Sequence, residues 1–221
     1  MRAAPVLRGG PLLSALWLVG GLFLCACGIL CFLESRLGLS PWDVLHQGIA
    51  NHTPISFGLA NVAVGVVVLL VAWSLGSPPG VGTITNAILV GAFVALLEPT
   101  HVVQSLANTT LSGRVALLAV GLACFGIGTA LYIGAGVGAG PRDSLMLVGS
   151  RRTGFRVGVV RAALESSALL VGFALGGHVG VGTVVFALLI GPSVEASFFL
   201  VDRFGLATSV PVPAPSEASA S

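Results

Sequence analysis

The sequence repeats itself at an offset of 100 residues, and no gap is needed to align the two copies. Residues 17–99 match residues 117–199 at about two dozen positions, many of them glycine, proline or threonine. Hydrophobic composition alone would not align such residues, so the chain carries one structural unit twice. The most distinctive matches are Gly21/Gly121, Gly38/Gly138, Pro41/Pro141, Asp43/Asp143, Gly80/Gly180, Gly82/Gly182 and Thr83/Thr183.

Composition predicts that the chain lies in a lipid bilayer, because 55% of its residues are hydrophobic, 8% are charged and the mean hydropathy is +1.02. With 221 residues the chain is too short for two independent membrane domains, so the two halves share one bundle. The net charge is only +2 and the arginines are dispersed, which argues against a nucleic-acid partner.

Six apolar stretches approach the length of about 20 residues that a membrane-crossing helix needs. They cover residues 12–33, 58–75, 82–97, 114–133, 157–175 and 183–201. The first follows two arginines, as an export signal does, but Gly21 and Gly28 have repeat partners, so we expect it to be retained as a helix. The resulting division is a cytoplasmic amino terminus at 1–11, repeats at 12–100 and 112–203, and a disordered tail at 204–221.

Three crossings per half is an odd number, so consecutive halves must enter the membrane from opposite sides. The arginines agree with this topology, because eight of the ten fall on one side if both termini are cytoplasmic. These eight are Arg2, Arg8, Arg142, Arg151, Arg152, Arg156, Arg161 and Arg203. The sequence therefore predicts an all-α, multi-pass bundle of two inverted three-helix repeats.

Each half also contains a segment that cannot cross, at residues 38–57 and 138–157. Both segments contain a Pro-x-Asp helix start, with Ser40 ahead of Pro41 in the first half and Gly140 ahead of Pro141 in the second. In one interpretation each segment is an interfacial helix whose aspartate, Asp43 or Asp143, satisfies only its own first turn. In the other, the two helices enter from opposite faces and aim their amino ends at a shared cavity. The repetition itself favours neither.

Two glutamates, Glu165 and Glu195, lie within predicted crossings, where an unpaired charge costs at least about 2.5 kcal/mol. The first repeat has Gly65 and Ala95 at these positions, so the acids are additions to the shared scaffold. We expect them to share one inner cavity. Arg161 precedes Glu165 by four residues, so an intrahelical ion pair is the structural alternative to a coupling role.

The candidate substrate-binding or coupling residues are polar side chains in the short helices and in the crossings. They are Asp43, Asp143, Glu165, Glu195, Arg161, Arg142 and Asn86. No HExxH or GxSxG motif is present, so we expect no enzyme activity. The four cysteines lie among apolar residues without metal-ligand spacing, so neither a metal nor another cofactor is expected.

The repeated motifs resemble those of the YczE/YyaS/YitT group of bacterial integral membrane proteins, and the YczE-like branch is the most similar. The resemblance extends over about residues 12 to 203. It rests on residues 38–48, 80–86, 140–146 and 180–183. It implies a multi-pass inner-membrane protein whose relatives are sometimes linked to secondary-metabolite gene clusters, and it supplies no established catalytic residues.

The sequence favours a small inverted-repeat carrier or exporter of a small molecule. A homodimer is one way in which six short helices can enclose a substrate. The alternative is a membrane protein that does not transport but binds or regulates a partner, such as a secondary-metabolite biosynthetic system.

Overall fold

The computed structural model describes residues 6–7, 10–100, 110–138 and 140–208. Apart from two strands of two residues each, its regular structure is helical. The helices of the first half are α1 (Pro11–Ser35), α2 (Pro41–His52), α3 (Phe57–Ser74) and α4 (Val81–Leu97), which a 3-10 turn at Glu98–Thr100 follows. The helices of the second half are α5 (Leu111–Gly134), α6 (Pro141–Thr153), α7 (Val157–Ala174) and α8 (Val181–Arg203).

Each predicted crossing corresponds to one long helix. Within the described residues, α1, α3, α5, α7 and α8 are long and apolar enough to cross a membrane. Helix α4 is equally apolar but has 17 residues, in line with its predicted stretch being the shortest of the six. Exposed leucines, valines and phenylalanines cover the outer surface of these helices, as a surface in contact with lipid requires.

Helices α1 and α5 pack against each other through glycines in antiparallel directions. A methyl group added at Gly21 would lie 2.7 Å from the carbonyl oxygen of Gly128, and one added at Gly28 would lie 2.9 Å from that of Gly121. The contact is reciprocal, because Gly121 is the repeat counterpart of Gly21 and Gly128 is that of Gly28. Exchanging the two repeats therefore converts one pair into the other. The repeated glycines therefore bring two backbones into direct contact, where dispersion forces hold them together.

A second reciprocal contact explains the repeated Gly-Val-Gly-Thr motif. The N–H of Gly82, at the start of α4, donates to the carbonyl oxygen of Val137 over 2.9 Å. The N–H of Gly182, at the start of α8, donates to that of Leu37 over 2.7 Å. Each half thus satisfies an otherwise unpaired N–H group at a helix start of the other half.

The centre of the bundle is an aromatic cluster drawn from both halves. The rings of Phe32, Phe125 and Phe186 meet edge to face, with centroids 5.3 to 6.4 Å apart. Phe32 belongs to the first repeat and the other two belong to the second. The hydrophobic core is therefore shared, as expected for a chain too short to form two separate cores.

The two ends of the described chain are paired in an antiparallel β-bridge. Strand β1 (Val6–Leu7) pairs with strand β2 (Ala207–Thr208), with Val6 opposite Thr208. The prediction of a disordered tail from residue 204 is therefore wrong for residues 207–208, because their backbone groups find partners in β1. Residues 209–221, like Arg2 and Arg8, lie outside the described residues. Pairing of β1 with β2 places residues 6–7 and 207–208 on the same side of the bundle.

Candidate functional site

The two short helices begin as the Pro-x-Asp motif predicts. In α2, the side chain of Ser40 caps the helix by accepting a hydrogen bond from the N–H of Asp43 over 3.2 Å, and Pro41 occupies the first turn. In α6, Gly140 occupies the capping position and offers no side chain, while Pro141 again starts the helix. The two helices therefore share their start but differ in how their aspartates are held.

Asp43 is fully buried and fully engaged. Its carboxylate accepts hydrogen bonds from the hydroxyl of Ser40 and from Nδ1 of His46, at 3.2 Å in the second case. The amide of Asn61 lies 3.3 Å from the same ring nitrogen. Because Nδ1 donates to a carboxylate, Nε2 of a neutral His46 remains an acceptor. Asp43 thus organises the first turn of α2 and links it to α3.

Asp143 occupies the same motif position but is only partly buried. Its carboxylate accepts a hydrogen bond from the hydroxyl of Tyr132 over 3.1 Å. It has no capping hydroxyl beside it, because residue 140 is glycine, and Met146 replaces the histidine of the first repeat. The second aspartate is consequently free to contact a ligand on its open side.

The amino ends of α2 and α6 meet through Arg142. Its guanidinium lies 4.9 Å from the ring centroid of Trp42, in cation–π geometry, and its Nη2 donates to Nε2 of His46 over 3.4 Å. Among the described residues, no carboxylate lies within salt-bridge distance of Arg142. Most of its N–H donors therefore remain available to another acceptor.

A cavity of about 300 Å³ lies where these two amino ends meet. Its wall takes residues from both halves and combines an apolar lining with a few polar groups, which is the usual composition of a small-molecule site. The cavity wall includes five of the seven candidate residues, namely Asn86, Arg142, Asp143, Arg161 and Glu165.

The other two candidates lie elsewhere. Asp43 is buried behind the cavity wall, where Ser40 and His46 occupy its carboxylate. Glu195 is exposed on α8, whereas its neighbour Val194 lines the cavity. Adjacent residues point about 100° apart around a helix, so α8 turns Glu195 away. The expectation that Glu165 and Glu195 share one inner cavity is therefore wrong.

Arg161 and Glu165 form an ion pair at the mouth of the cavity. Nε of Arg161 lies 2.9 Å from Oε1 of Glu165, and their side chains are 50% and 29% exposed. This is the intrahelical pair that the four-residue spacing predicts.

Sequence reasoning missed Trp42, His46 and Tyr132 as parts of the site. Each differs in chemistry from its repeat counterpart, since the equivalent residues are Arg142, Met146 and Phe32. Tyr132 is also the only tyrosine in the sequence. The sequence signal that could have identified these residues is the difference in polarity between equivalent positions of the two repeats. In the described part of the chain, no group of three or more His, Cys, Asp or Glu residues is arranged to hold a metal ion.

These features define a multi-pass membrane protein with a cavity between its two halves whose largely apolar wall carries a few polar groups. The chain belongs to a family of unknown function (DUF6198), which matches residues 12–198, and it is a YczE-like protein. It is 31% identical over 192 residues to the uncharacterized membrane protein YczE of Bacillus subtilis, covering 86% of this chain and 84% of that protein. It is 41% identical over 166 residues to an uncharacterized protein of Haemophilus influenzae, covering 75% and 73% of the two chains.

A third relative, the uncharacterized protein YyaS of Bacillus subtilis, is 25% identical over 197 residues. The match covers 84% of this chain and 96% of YyaS. No solved structure matches the chain. The comparisons thus establish the family and its membrane character.

Proposed function

We propose that this protein is a small-molecule transporter built on an internal inverted repeat, with the cavity between its halves as the substrate site. One observation carries the proposal: the amino ends of α2 and α6, which occupy the same place in the two repeats, meet at that cavity. Carriers with inverted repeats hold their substrates at such a meeting point of broken helices.

The reciprocal contacts support the inverted arrangement. Gly21 meets Gly128 and Gly28 meets Gly121 in an antiparallel helix pair, so a twofold axis perpendicular to both helices would exchange the two contacts. For helices that cross a membrane, such an axis lies in the membrane plane.

The outer ends of the two short helices make matching contacts as well. Nδ2 of Asn51, near the end of α2, donates to the carbonyl oxygen of Gly176 just after α7. Nε of Arg152, near the end of α6, donates to that of Leu75 just after α3. In an inverted arrangement α3 and α7 end on opposite faces, so α2 and α6 enter from opposite faces and converge at the centre.

The wall chemistry indicates the class of substrate. Arg142 offers N–H donors that no carboxylate occupies, the ring of Trp42 and the side chain of Met146 offer apolar surface, and Asn86 adds an amide. A volume of about 300 Å³ is at the small end for ligand pockets. The best fit is a small compound with an apolar body and an acceptor group, such as a carboxylate, that binds Arg142.

A ligand screen followed by a flux assay tests this function. Small amphipathic acids, amines and zwitterions are added to the purified protein, and compounds that raise its melting temperature are then followed into proteoliposomes. We expect acids to stabilise the wild-type protein, since ligand binding shifts unfolding by mass action. We also expect the same compounds to enter vesicles that contain the protein faster than they enter empty ones.

Substitutions in and outside the cavity provide the controls. Arg142→Lys and Tyr132→Phe should remove most of the stabilisation by ligand, whereas Arg203→Ala, on an exposed arginine outside the cavity wall, should leave it unchanged. A compound that binds through Arg142 but never crosses the vesicle would instead identify a binding or regulatory protein. Equal stabilisation of the wild-type and the folded cavity variants would place the binding site elsewhere.

A further inference from the structure

Helices α3 and α4 form a closed seam in the first half. A methyl group added at Gly58 would lie 2.5 Å from the carbonyl oxygen of Gly91, and one added at Gly91 would lie 2.5 Å from that of Gly58. Two glycines opposite each other therefore let the two backbones touch. No path between α3 and α4 remains at this point.

The same seam is open in the second half, although its glycines are the same. Gly158 and Gly191 are the repeat counterparts of Gly58 and Gly91, but a methyl group added at either would meet nothing within 4 Å among the described residues. Gly191 and Glu165 both line the cavity, so this gap between α7 and α8 is its mouth. One chain thus contains the closed and the open form of the same helix pair.

The two seams differ in charge. In the closed seam, Gly65 packs on α4, with the carbonyl oxygen of Ala87 3.1 Å from an added methyl group. The second half has Glu165 at this position and Ala187 opposite. Closing the second seam in the same way would transfer Glu165 from partial exposure into a space without water, which is costly for a carboxylate unless it is paired or protonated.

Closure would also break the ion pair between Arg161 and Glu165. The counterpart of Arg161 is Asn61, which is buried, and its side-chain nitrogen lies 3.3 Å from the ring nitrogen of His46 that faces Asp43. In the second half the aspartate is Asp143 and no imidazole intervenes, because residue 146 is methionine. An arginine side chain is longer than that of asparagine, so after closure Arg161 would reach Asp143 across the space that the imidazole fills in the first half.

We propose that α7 and α8 form a gate that closes into the geometry of α3 and α4, and that closure takes up one proton. On closing, Arg161 changes partner from Glu165 to Asp143, and the Glu165 carboxylate binds a proton and enters the seam as a neutral acid. On opening, Glu165 releases that proton and pairs with Arg161 again. This inference rests on the proposed transport function, for which it supplies a proton-coupled step.

Several charged or titratable groups lie on the helices around Glu165. They are Arg161 on α7, Arg142 and Asp143 on α6, and Asp43 and His46 on α2, while Glu195 of α8 points away from the cavity. Asp43 and His46 are hydrogen-bonded to each other. Arg142 is a cation in the cavity wall, and Asp143 is the carboxylate that Arg161 meets on closing. In this gate, the ion pair between Arg161 and Asp143 forms as Glu165 enters the seam.

Distances between spin labels on the two seams test the gate without any substrate. Labels at Leu59 and Leu96 report on the first seam, and labels at Val159 and Ala196 report on the second. All four sites are exposed, and Leu59 and Leu96 are the repeat counterparts of Val159 and Ala196. The distance across the first seam is therefore the distance expected for a closed gate. The native cysteines Cys25, Cys27, Cys31 and Cys124 are replaced by alanine beforehand.

The second label pair should show a long distance at about pH 8 and a growing population at the short, first-seam distance as the pH falls to about 5, where carboxylates begin to protonate. Glu165→Gln should populate the short distance at both pH values, and Asp143→Asn should prevent it. Glu165→Gly, which restores the residue of the first repeat, is the second variant in case glutamine impairs folding. Gly65→Glu should open the first seam.

A distance between Val159 and Ala196 that does not change with pH in the wild-type protein would overturn the gate, as would a Glu165→Gly protein that stays open. These outcomes are separable from the transport proposal. Flux without pH-dependent closure would leave the carrier intact and reject this gate, whereas closure without flux of any stabilising compound would retain the gate and reject transport.

Discussion

The two motif aspartates show how one residue acquires different roles in two copies of the same helix. Asp43 is buried and accepts hydrogen bonds from Ser40 and His46, whereas Asp143 is partly exposed in the cavity wall and accepts one from Tyr132. The difference arises because residue 40 is serine and residue 140 is glycine. The serine hydroxyl caps the helix and holds the carboxylate, whereas glycine has no side chain that could do either. The first is thus a structural residue, and the second is available to a ligand.

Replacing each aspartate by asparagine should separate these roles. Asp43→Asn leaves buried hydrogen-bonding groups of Ser40 and His46 with a poorer partner, and we expect a loss of about 1–3 kcal/mol in the free energy of unfolding. Asp143→Asn should change stability by less than about 1 kcal/mol and should instead alter ligand binding. Thermal unfolding in detergent measures both. An Asp143→Asn protein destabilised more than Asp43→Asn would contradict the assignment.

Adjacent glycines in α1 provide a second test at this scale. A methyl group at Gly21 would lie 2.7 Å from backbone atoms of both Gly128 and Tyr132, so Gly21→Ala must separate α1 from α5, at a cost of about 1–3 kcal/mol or more. Gly20 is exposed with nothing within 4 Å of an added methyl, so Gly20→Ala should stabilise the helix by up to about 1 kcal/mol. Melting temperatures should therefore shift in opposite directions, and shifts of the same sign would refute the contact.

At the scale of elements, the sequence predicted the helices well because their boundaries are set locally. Proline starts α2 and α6, and apolar runs determine the long helices, so α2 and α6 begin where the motif predicts. The β-bridge between the chain ends was not predictable, since it pairs residues about 200 positions apart through backbone groups alone. The exposure of Glu195 and the gap between α7 and α8 depend on how each helix is rotated and spaced, which a single sequence does not specify.

The end of α1 is held by a contact that a single substitution removes. Arg36 ends this helix in a left-handed conformation, and Arg114 of α5 donates from Nε to the carbonyl oxygen of Ser35 and from Nη2 to that of Arg36, both over 2.7 Å. Arg114→Ala should cost about 1–3 kcal/mol and increase amide hydrogen exchange in the last turn of α1. Arg203→Ala is the matched control and should change neither. Unaltered exchange in Arg114→Ala would show that the cap does not hold the helix end.

At the scale of the whole molecule, the paired chain ends make a topological prediction. Because β1 and β2 lie side by side, fluorescent reporters fused ahead of α1 and after Val201 should behave alike, and the arginine distribution predicts that both are cytoplasmic. A periplasmic phosphatase inserted after Thr53, at the end of α2, should be active, and one inserted after Gly154, at the end of α6, should be inactive. Phosphatase activity after Val201 would reverse the orientation.

The exchanged hydrogen bonds of Gly82 with Val137 and of Gly182 with Leu37 have a consequence for how the two halves assemble. Each half completes a helix start of the other, so we expect neither half to form these helix starts without its partner. The two copies nevertheless differ in chemistry, since one has Glu165 where the other has Gly65. Separately expressed halves should therefore complement each other in one cell, and either half alone should be degraded.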